Sequence, residues 1–278
     1  MTPLGYSLSA FGISLGAGFL GSLVGIGGGI IVVPALTLIF GFDIRHAIGA
    51  SIVSVIATSS GAAAGYVRER MTNLRAAMLL ELGTTIGAVC GALLAGVLHG
   101  RWLYLLFGLM LLGSGFAMLK RLRDHAEHVP PSRWADALRL HSSYFDERLG
   151  REVYYRVARA PLGLLLMLIA GLLSGLLGIG SGVLKVPAMD LAMGLPLKVS
   201  SATSNLMIGV TAAASAAIYF TRGDINPFIA GPVAIGIVLG AAIGARFLSR
   251  ASHAWLRILF VAVLAVVALQ MIGKGLGR

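Results

Sequence analysis

Charge is scarce in this sequence: 22 basic and 11 acidic residues make up 12% of 278 positions. A soluble domain of this size solvates its surface with about twice that fraction, so most of this chain must face lipid or other apolar helices. Cysteine is scarcer still, and the lone Cys90 excludes an intramolecular disulfide and any CxxC metal or redox site. The glycine clusters lack the GK[ST] ending of a phosphate-binding loop, which disfavours an ATP-driven pump. Six histidines (His46, His99, His125, His128, His141, His253) sit mainly in loops without ligand spacing. No catalytic arrangement emerges, so no enzyme, cofactor or metal site is expected. The first apolar run has no basic leader and continues into a glycine motif that recurs, so no cleavable signal peptide is expected either.

What is abundant is apolar: 57% of residues are hydrophobic, with 38 glycines and a mean hydropathy of +0.89. Fifteen of the charged residues, nine basic and six acidic, lie between Lys120 and Arg159, which marks one polar interruption in a polytopic membrane chain. The net charge of +11 then reads as Lys and Arg retained on the cytoplasmic side, and no nucleic-acid partner is expected. Stretches near the roughly 20 residues needed to span a bilayer run from Ser7 to Val24, Ala47 to Val67, Ala76 to Leu98 and Trp102 to Leu119. Four more run from Pro161 to Leu177, Val199 to Phe220, Pro227 to Leu248 and Ala254 to Ile272. Ile30 to Phe40 and Val183 to Met193 are too short, about 17 Å each if helical. Each follows a glycine cluster and carries a proline, Pro34 or Pro187, which reads as a half-helix or re-entrant piece.

The sequence repeats itself at one offset, 153 residues, without a gap from about Ala17 to Ala92. Gly25-Ile26-Gly27-Gly28-Gly29 overlies Gly178-Ile179-Gly180-Ser181-Gly182, and Val33-Pro34-Ala35 overlies Val186-Pro187-Ala188. Gly41 pairs with Gly194, Ser51 with Ser204, Thr58 with Thr211, Tyr66 with Tyr219, Asn73 with Asn226. The expected fold is therefore an all-α polytopic membrane protein with homologous halves at residues 1–119 and 160–278. Each would hold four long transmembrane helices plus one short half-helix after a glycine-rich break. The basic cluster Arg68, Arg70, Arg75 changes loop in the second copy, to Arg246, Arg250 and Arg257, which favours inverted over parallel halves. With the central loop cytoplasmic, both termini would be outside.

Residues 120–159 form the polar connector. Trp134 to Leu140 looks helical, and Tyr144 to Glu147 and Glu152 to Val157 resemble short strands around Leu149-Gly150. Such a segment serves as a solvated topology-fixing linker or, alternatively, as a regulatory or partner-docking element.

Glycine clusters in hydrocarbon need a reason, because open backbone is tolerated there only when buried in protein or lining a cavity. The two breaks leave N–H groups open at the start of a short helix, a setting that favours an anion, and two such ends would make a small oxyanion site near the midplane. The alternative is close helix packing, which is the preferred reading for Gly83, Gly87 and Gly91. The copies differ where Ile31-Val32 is replaced by Leu184-Lys185, so only one carries an embedded cation. Lys185 is a functional candidate by its depth; an ion pair, for instance with Asp190, or snorkelling is its structural alternative. Glu81 and Asp190, the other acidic groups in apolar segments, are candidate proton carriers or counter-charges. Glu81 lies six residues past Arg75, so interfacial solvation would also suit it. Hydroxyl and amide groups follow each short helix, at Ser51, Ser54, Thr58, Ser59 and Ser60 and at Ser200, Ser201, Thr203, Ser204 and Asn205. Ser51, Ser204 and Asn205 fall at or beside one repeat position and suit an anion that must bind and leave; bonds to their own helix are the alternative.

At these residues the sequence resembles a known family. GIGGGIIVVPAL and GIGSGVLKVPAM, each followed by a Ser-containing helix with a late Tyr, are similar to the doubled motif of the TauE/SafE sulfite exporters, over nearly all of both halves. This copy has Ser181 where a glycine is common, and a long central loop. The resemblance implies a bacterial or archaeal inner-membrane carrier for sulfite, thiosulfate, sulfoacetate or a related sulfur-containing or organic anion. The expectation is a secondary transporter working by alternating access, with H+ or Na+ as a possible coupling ion. Its site would comprise Gly25, Gly27, Gly28, Gly29, Pro34, Ser51, Gly178, Gly180, Ser181, Gly182, Lys185, Pro187, Ser204 and Asn205, with Glu81 and Asp190 as coupling candidates. An anion channel, or a membrane scaffold or sensor acting through residues 120–159, is the competing expectation.

Overall fold

The computed structural model of the chain describes residues 3–24, 28–68, 71–120, 132–146, 150–180, 182–248 and 253–277. Eight helices of 18 to 25 residues dominate it: α1 (Pro3–Val24), α3 (Ile44–Arg68), α4 (Leu74–Val97), α5 (Gly100–Lys120), α7 (Ala160–Leu177), α9 (Leu197–Thr221), α10 (Pro227–Leu248) and α11 (His253–Gly275). Among the described residues three stretches are long and apolar enough to cross a membrane by length and composition, Leu74–Val97, Ala160–Leu177 and Lys198–Thr221. The short helices are α2 (Gly29–Pro34) and α8 (Gly182–Pro187). A five-residue helix, α6 (Arg133–Ala137), precedes the strands β1 (Ser142–Asp146) and β2 (Arg151–Tyr155) in the connector.

The 153-residue offset is visible as geometry. At Pro34 and at Pro187 the short helix widens into π-helical turns, Ala35–Ile39 and Ala188–Ala192. Proline has no N–H to give to the carbonyl four residues back, so the hydrogen-bond ladder must change its step there. Each segment then ends in a glycine with positive φ, Gly41 at +69° and Gly194 at +72°. The Phe42 N–H bonds back to Leu36 O, as the Leu195 N–H does to Met189 O. The next paired helices are capped alike: the Asn73 carboxamide oxygen accepts from Ala76 N–H at 3.0 Å, and that of Asn226 from Phe228 N–H at 3.0 Å.

Helices from one repeat pack against those of the other. On α4, Gly83, Gly87 and Gly91 bring its backbone onto the carbonyls of Leu164, Leu168 and Leu172 on α7. In return, Gly171 and Gly175 of α7 meet the carbonyls of Thr84 and Ala88. A Cβ at any of these positions would overlap backbone, so the packing reading of these α4 glycines holds. The pair α1 and α10 repeats the device through Gly18, Gly236 and Gly240. In both pairs the contacts advance together along the chain, so the partners run parallel. The repeat mates α3 and α9 run antiparallel: Gly49 near the start of α3 lies against Asp224 just after α9, and Thr203 in the second turn of α9 accepts from the Asn73 N–H just after α3. α5 and α11 are also antiparallel, with Gly275 against Arg101 and Leu105, and Gly108 against Ala268 and Ile272.

The face of α4 next to its glycine stripe carries Met78, Leu82, Ile86, Leu93 and Val97, all exposed. Large aliphatic side chains turned outward along a whole helix, with small ones turned inward, suit a lipid surround. At one end the connector is docked. β1 and β2 pair antiparallel from Ser142 opposite Tyr155 to Asp146 opposite Arg151, and Gly150 enters the turn at φ +60°. Ala135, Leu140, Tyr144 and Val157 join a buried cluster with Ala77, Leu80, Met189, Met193 and Val199. Asn73 Nδ2 donates to Leu140 O and to the Tyr155 hydroxyl, both at 2.9 Å, and Ala158 N–H donates to Met193 O.

Candidate functional site

The two glycine breaks meet in the interior. A Cβ on Gly29 would stand 3.3 Å from the carbonyl oxygen of Gly178, and the hydroxyl of Ser51 sits between them, donating to Gly178 O at 2.7 Å with Gly29 O at 3.3 Å. Gly178 ends α7 at φ +65° and Gly180 follows at +73°, conformations that an L side chain rarely adopts. Val55 packs against both Gly29 and Gly180, Ile208 against Gly180, and Ile48 against Gly178. Gly28 precedes α2, its carbonyl accepting from the Ile31 and Val32 N–H groups, and is closed over by Ile237. Gly182 opens α8 and is buried; Pro34 is buried and Pro187 half-buried at the α-to-π switches. Gly25, Gly27 and Ser181 lie outside the described residues.

Lys185, three residues into α8, is fully buried. Its ammonium donates to Thr211 Oγ1 on α9 at 2.6 Å and lies 3.8 Å from Glu81 Oε2 on α4. Thr211 in turn is 2.7 Å from Glu81 Oε1, and the Thr85 hydroxyl donates to that same oxygen at 3.2 Å. Three helices thus converge on one ion pair. The counter-charge across the helices is Glu81, whose side chain is only 14% exposed and turned toward the interior of the bundle. Asp190 stands in the π-helical turn beyond Pro187 and is half-buried. The repeat mates of Lys185, Thr211 and Glu81 are Val32, Thr58 and Ala234, so the charged arrangement exists once.

The hydroxyl cluster divides. Ser54, Thr58 and Ser60 donate to carbonyls of their own helix, as Asn205 does to Ser201 O at 3.1 Å. Ser51 crosses to the other break. Its mate Ser204 is buried with no hydrogen-bond partner among the described residues. Thr211 was not singled out by residue chemistry; its signal in the sequence is the Thr58–Thr211 identity at the repeat offset.

A bundle with outward aliphatic stripes, inward glycine stripes and a largely buried lysine–glutamate pair defines an integral membrane protein with an internal polar site. The family described as "Sulfite exporter TauE/SafE" matches residues 10–271. The chain belongs to that family of membrane transporters. It is 28% identical to the probable membrane transporter protein YunE of Bacillus subtilis over 273 residues, covering 95% of this chain and 96% of that one. It is 27% identical to a probable membrane transporter protein of Methanocaldococcus jannaschii, covering 92% and 91% of the two chains. A probable membrane transporter protein of Xylella fastidiosa is likewise 27% identical over 260 residues, with 92% and 91% covered. No solved structure matches significantly.

Proposed function

We propose that this membrane transporter is a secondary carrier that moves a small sulfur-containing or organic anion across the inner membrane by alternating access. The observation that carries this reading is Lys185, a cation with no exposed surface, placed just after a glycine break. A charge at that depth is costly and is retained where it serves a ligand or an ion path. The anion would bind where the breaks meet, between Gly25–Gly29 and Gly178–Gly182, with Lys185 supplying charge and Ser51, Ser204 and Asn205 neutral polar groups. Pro34 and Pro187 would set the π turns that let the short helices move against the bundle.

Residues 1–119 and 160–278 act in this reading as inverted repeats, four long spans and one half-helix each, with 120–159 as a cytoplasmic connector. Antiparallel repeat mates α3 and α9, and α5 and α11, support inversion, since halves related by an axis along the membrane normal would keep their mates parallel. The test is exchange of labelled sulfite or thiosulfate in proteoliposomes holding the full chain. Lys185→Ala, in protein that remains monodisperse, should lower exchange about 10- to 100-fold, the loss of one charge-assisted contact. Undiminished exchange would remove Lys185 from the site.

A further inference from the structure

The ion pair is incompletely made. Lys185 has three N–H donors, and among the described residues Thr211 Oγ1 is the one hydrogen-bond acceptor they reach. Glu81 Oε2, at 3.8 Å, is beyond hydrogen-bond distance, and that oxygen is buried without a hydrogen-bond partner among the described residues. Groups in such an environment normally satisfy themselves fully, because each unmet bond is expensive away from water. Thr211 adds a second observation. Its single hydroxyl proton has two acceptors, Glu81 Oε1 at 2.7 Å and Met207 O at 2.8 Å, and it can serve one at a time.

We propose that Glu81 is the resident counter-ion of Lys185 and gives up that place to the transported anion while taking up one proton, so that anion and proton cross together. This rests on the carrier reading above. The step balances: a Lys185 ammonium–Glu81 carboxylate pair, plus an anion and a proton, becomes a Lys185 ammonium–anion pair and a neutral Glu81 carboxylic acid. An anion entering without a proton would leave its full negative charge uncompensated in a low-dielectric interior, at a cost of several kcal/mol per charge. One proton entering with a monoanion leaves the site neutral, and one entering with the dianion thiosulfate leaves a single negative charge in place of two. Thr211 absorbs the change at little cost, since its proton turns to Met207 O when the carboxylate no longer accepts it. The proton has a ready seat in Oε2, which makes no hydrogen bond among the described residues.

Among the described residues the charged groups around Glu81 are few. Lys185 and Asp190 lie on the α8 segment, and Lys198 stands exposed at the start of α9; α7 carries no charged residue. On its own helix Arg75 is directed to Arg139 O. The Lys185–Glu81 pair is therefore the local charge switch.

The test uses the full chain in proteoliposomes, with labelled thiosulfate as the probe because it does not titrate near neutrality, and the membrane potential clamped at zero. An inside-alkaline gradient of one pH unit should accumulate thiosulfate up to tenfold in wild type, with no requirement for sodium. Glu81→Gln should lose that accumulation, and the thiosulfate exchange that remains at equal pH should no longer respond to pH. Accumulation that follows a sodium gradient and ignores pH, or that survives in Glu81→Gln, overturns the proposal. Wild-type exchange without any response to the pH gradient also overturns it and leaves the carrier reading standing. Absence of wild-type exchange for thiosulfate, sulfite and sulfoacetate alike removes both. The wild-type arms can overturn the proposal even if Glu81→Gln does not fold.

Discussion

Ser51 donates its hydroxyl proton to the carbonyl of Gly178 at 2.7 Å, across 127 residues of sequence, and so fastens a helix of the first repeat to the break of the second. The contact joins the two places where the backbone departs from regular helix. Its repeat mate, Ser204, is buried and makes no such bond among the described residues. Ser51→Ala should therefore destabilise the protein by about 1–3 kcal/mol, because Gly178 O loses its donor in a buried setting. Ser204→Ala should be neutral or slightly stabilising. Thermal unfolding in one detergent compares them, and equal losses would contradict the asymmetry.

The α4–α7 interface makes a sharper demand on side-chain size. Gly87→Val would drive side-chain carbon into Leu168 O and should cost about 3 kcal/mol or more as the helices separate. Gly113→Ala, with open space at its Cβ, is the control and should leave the melting temperature within a degree or two. Size-exclusion behaviour and thermal melting would read both.

Lys185 and Glu81 should be coupled in stability. Lys185→Met strands a buried carboxylate and should destabilise by about 3–5 kcal/mol, whereas Lys185→Met with Glu81→Gln should recover most of that loss. The double variant separates folding from function, because it should regain its melting temperature without regaining anion exchange. Additive single and double effects would show that the pair is not interacting.

Docking of the connector depends on Asn73. Asn73→Ala removes the cap on α4 and the bonds to Leu140 O and Tyr155, which should cost about 1–3 kcal/mol and speed tryptic cutting at Arg151 and Arg156. Burial holds the Tyr155 phenol above its ordinary value of 10.0, with the bond to Asn73 opposing in part. A raised pKa in the folded state means that this contribution is intact below pH 10 and is lost as pH climbs through the folded value. Proteolysis rates should rise at high pH in wild type and not in Tyr155→Phe.

Much of the architecture was legible because duplication writes each element twice. The proline-to-π switches, the Gly41 and Gly194 turns and the Asn73 and Asn226 caps all fall on the same offset, and the connector's helix and hairpin follow from local pattern. The partner of Lys185 was not legible. Asp190 is close in sequence, but the carboxylate that faces the ammonium comes from Glu81, on a helix of the other repeat whose position depends on the α4–α7 glycine contacts. Thr211 escaped for a related reason: a threonine in an apolar helix carries no mark of its role until a neighbouring helix brings charge to it.

The exchange of partners between repeats also bears on how the chain is made. α1 cannot meet α10, nor α4 meet α7, until translation has passed the connector, so the glycine faces of the first 120 residues wait unpaired in the bilayer. Newly inserted helices must be held, by lipid or by the insertion machinery, until their late-born mates arrive. A ribosome stalled in the connector would leave behind a set of helices with no interior to close upon.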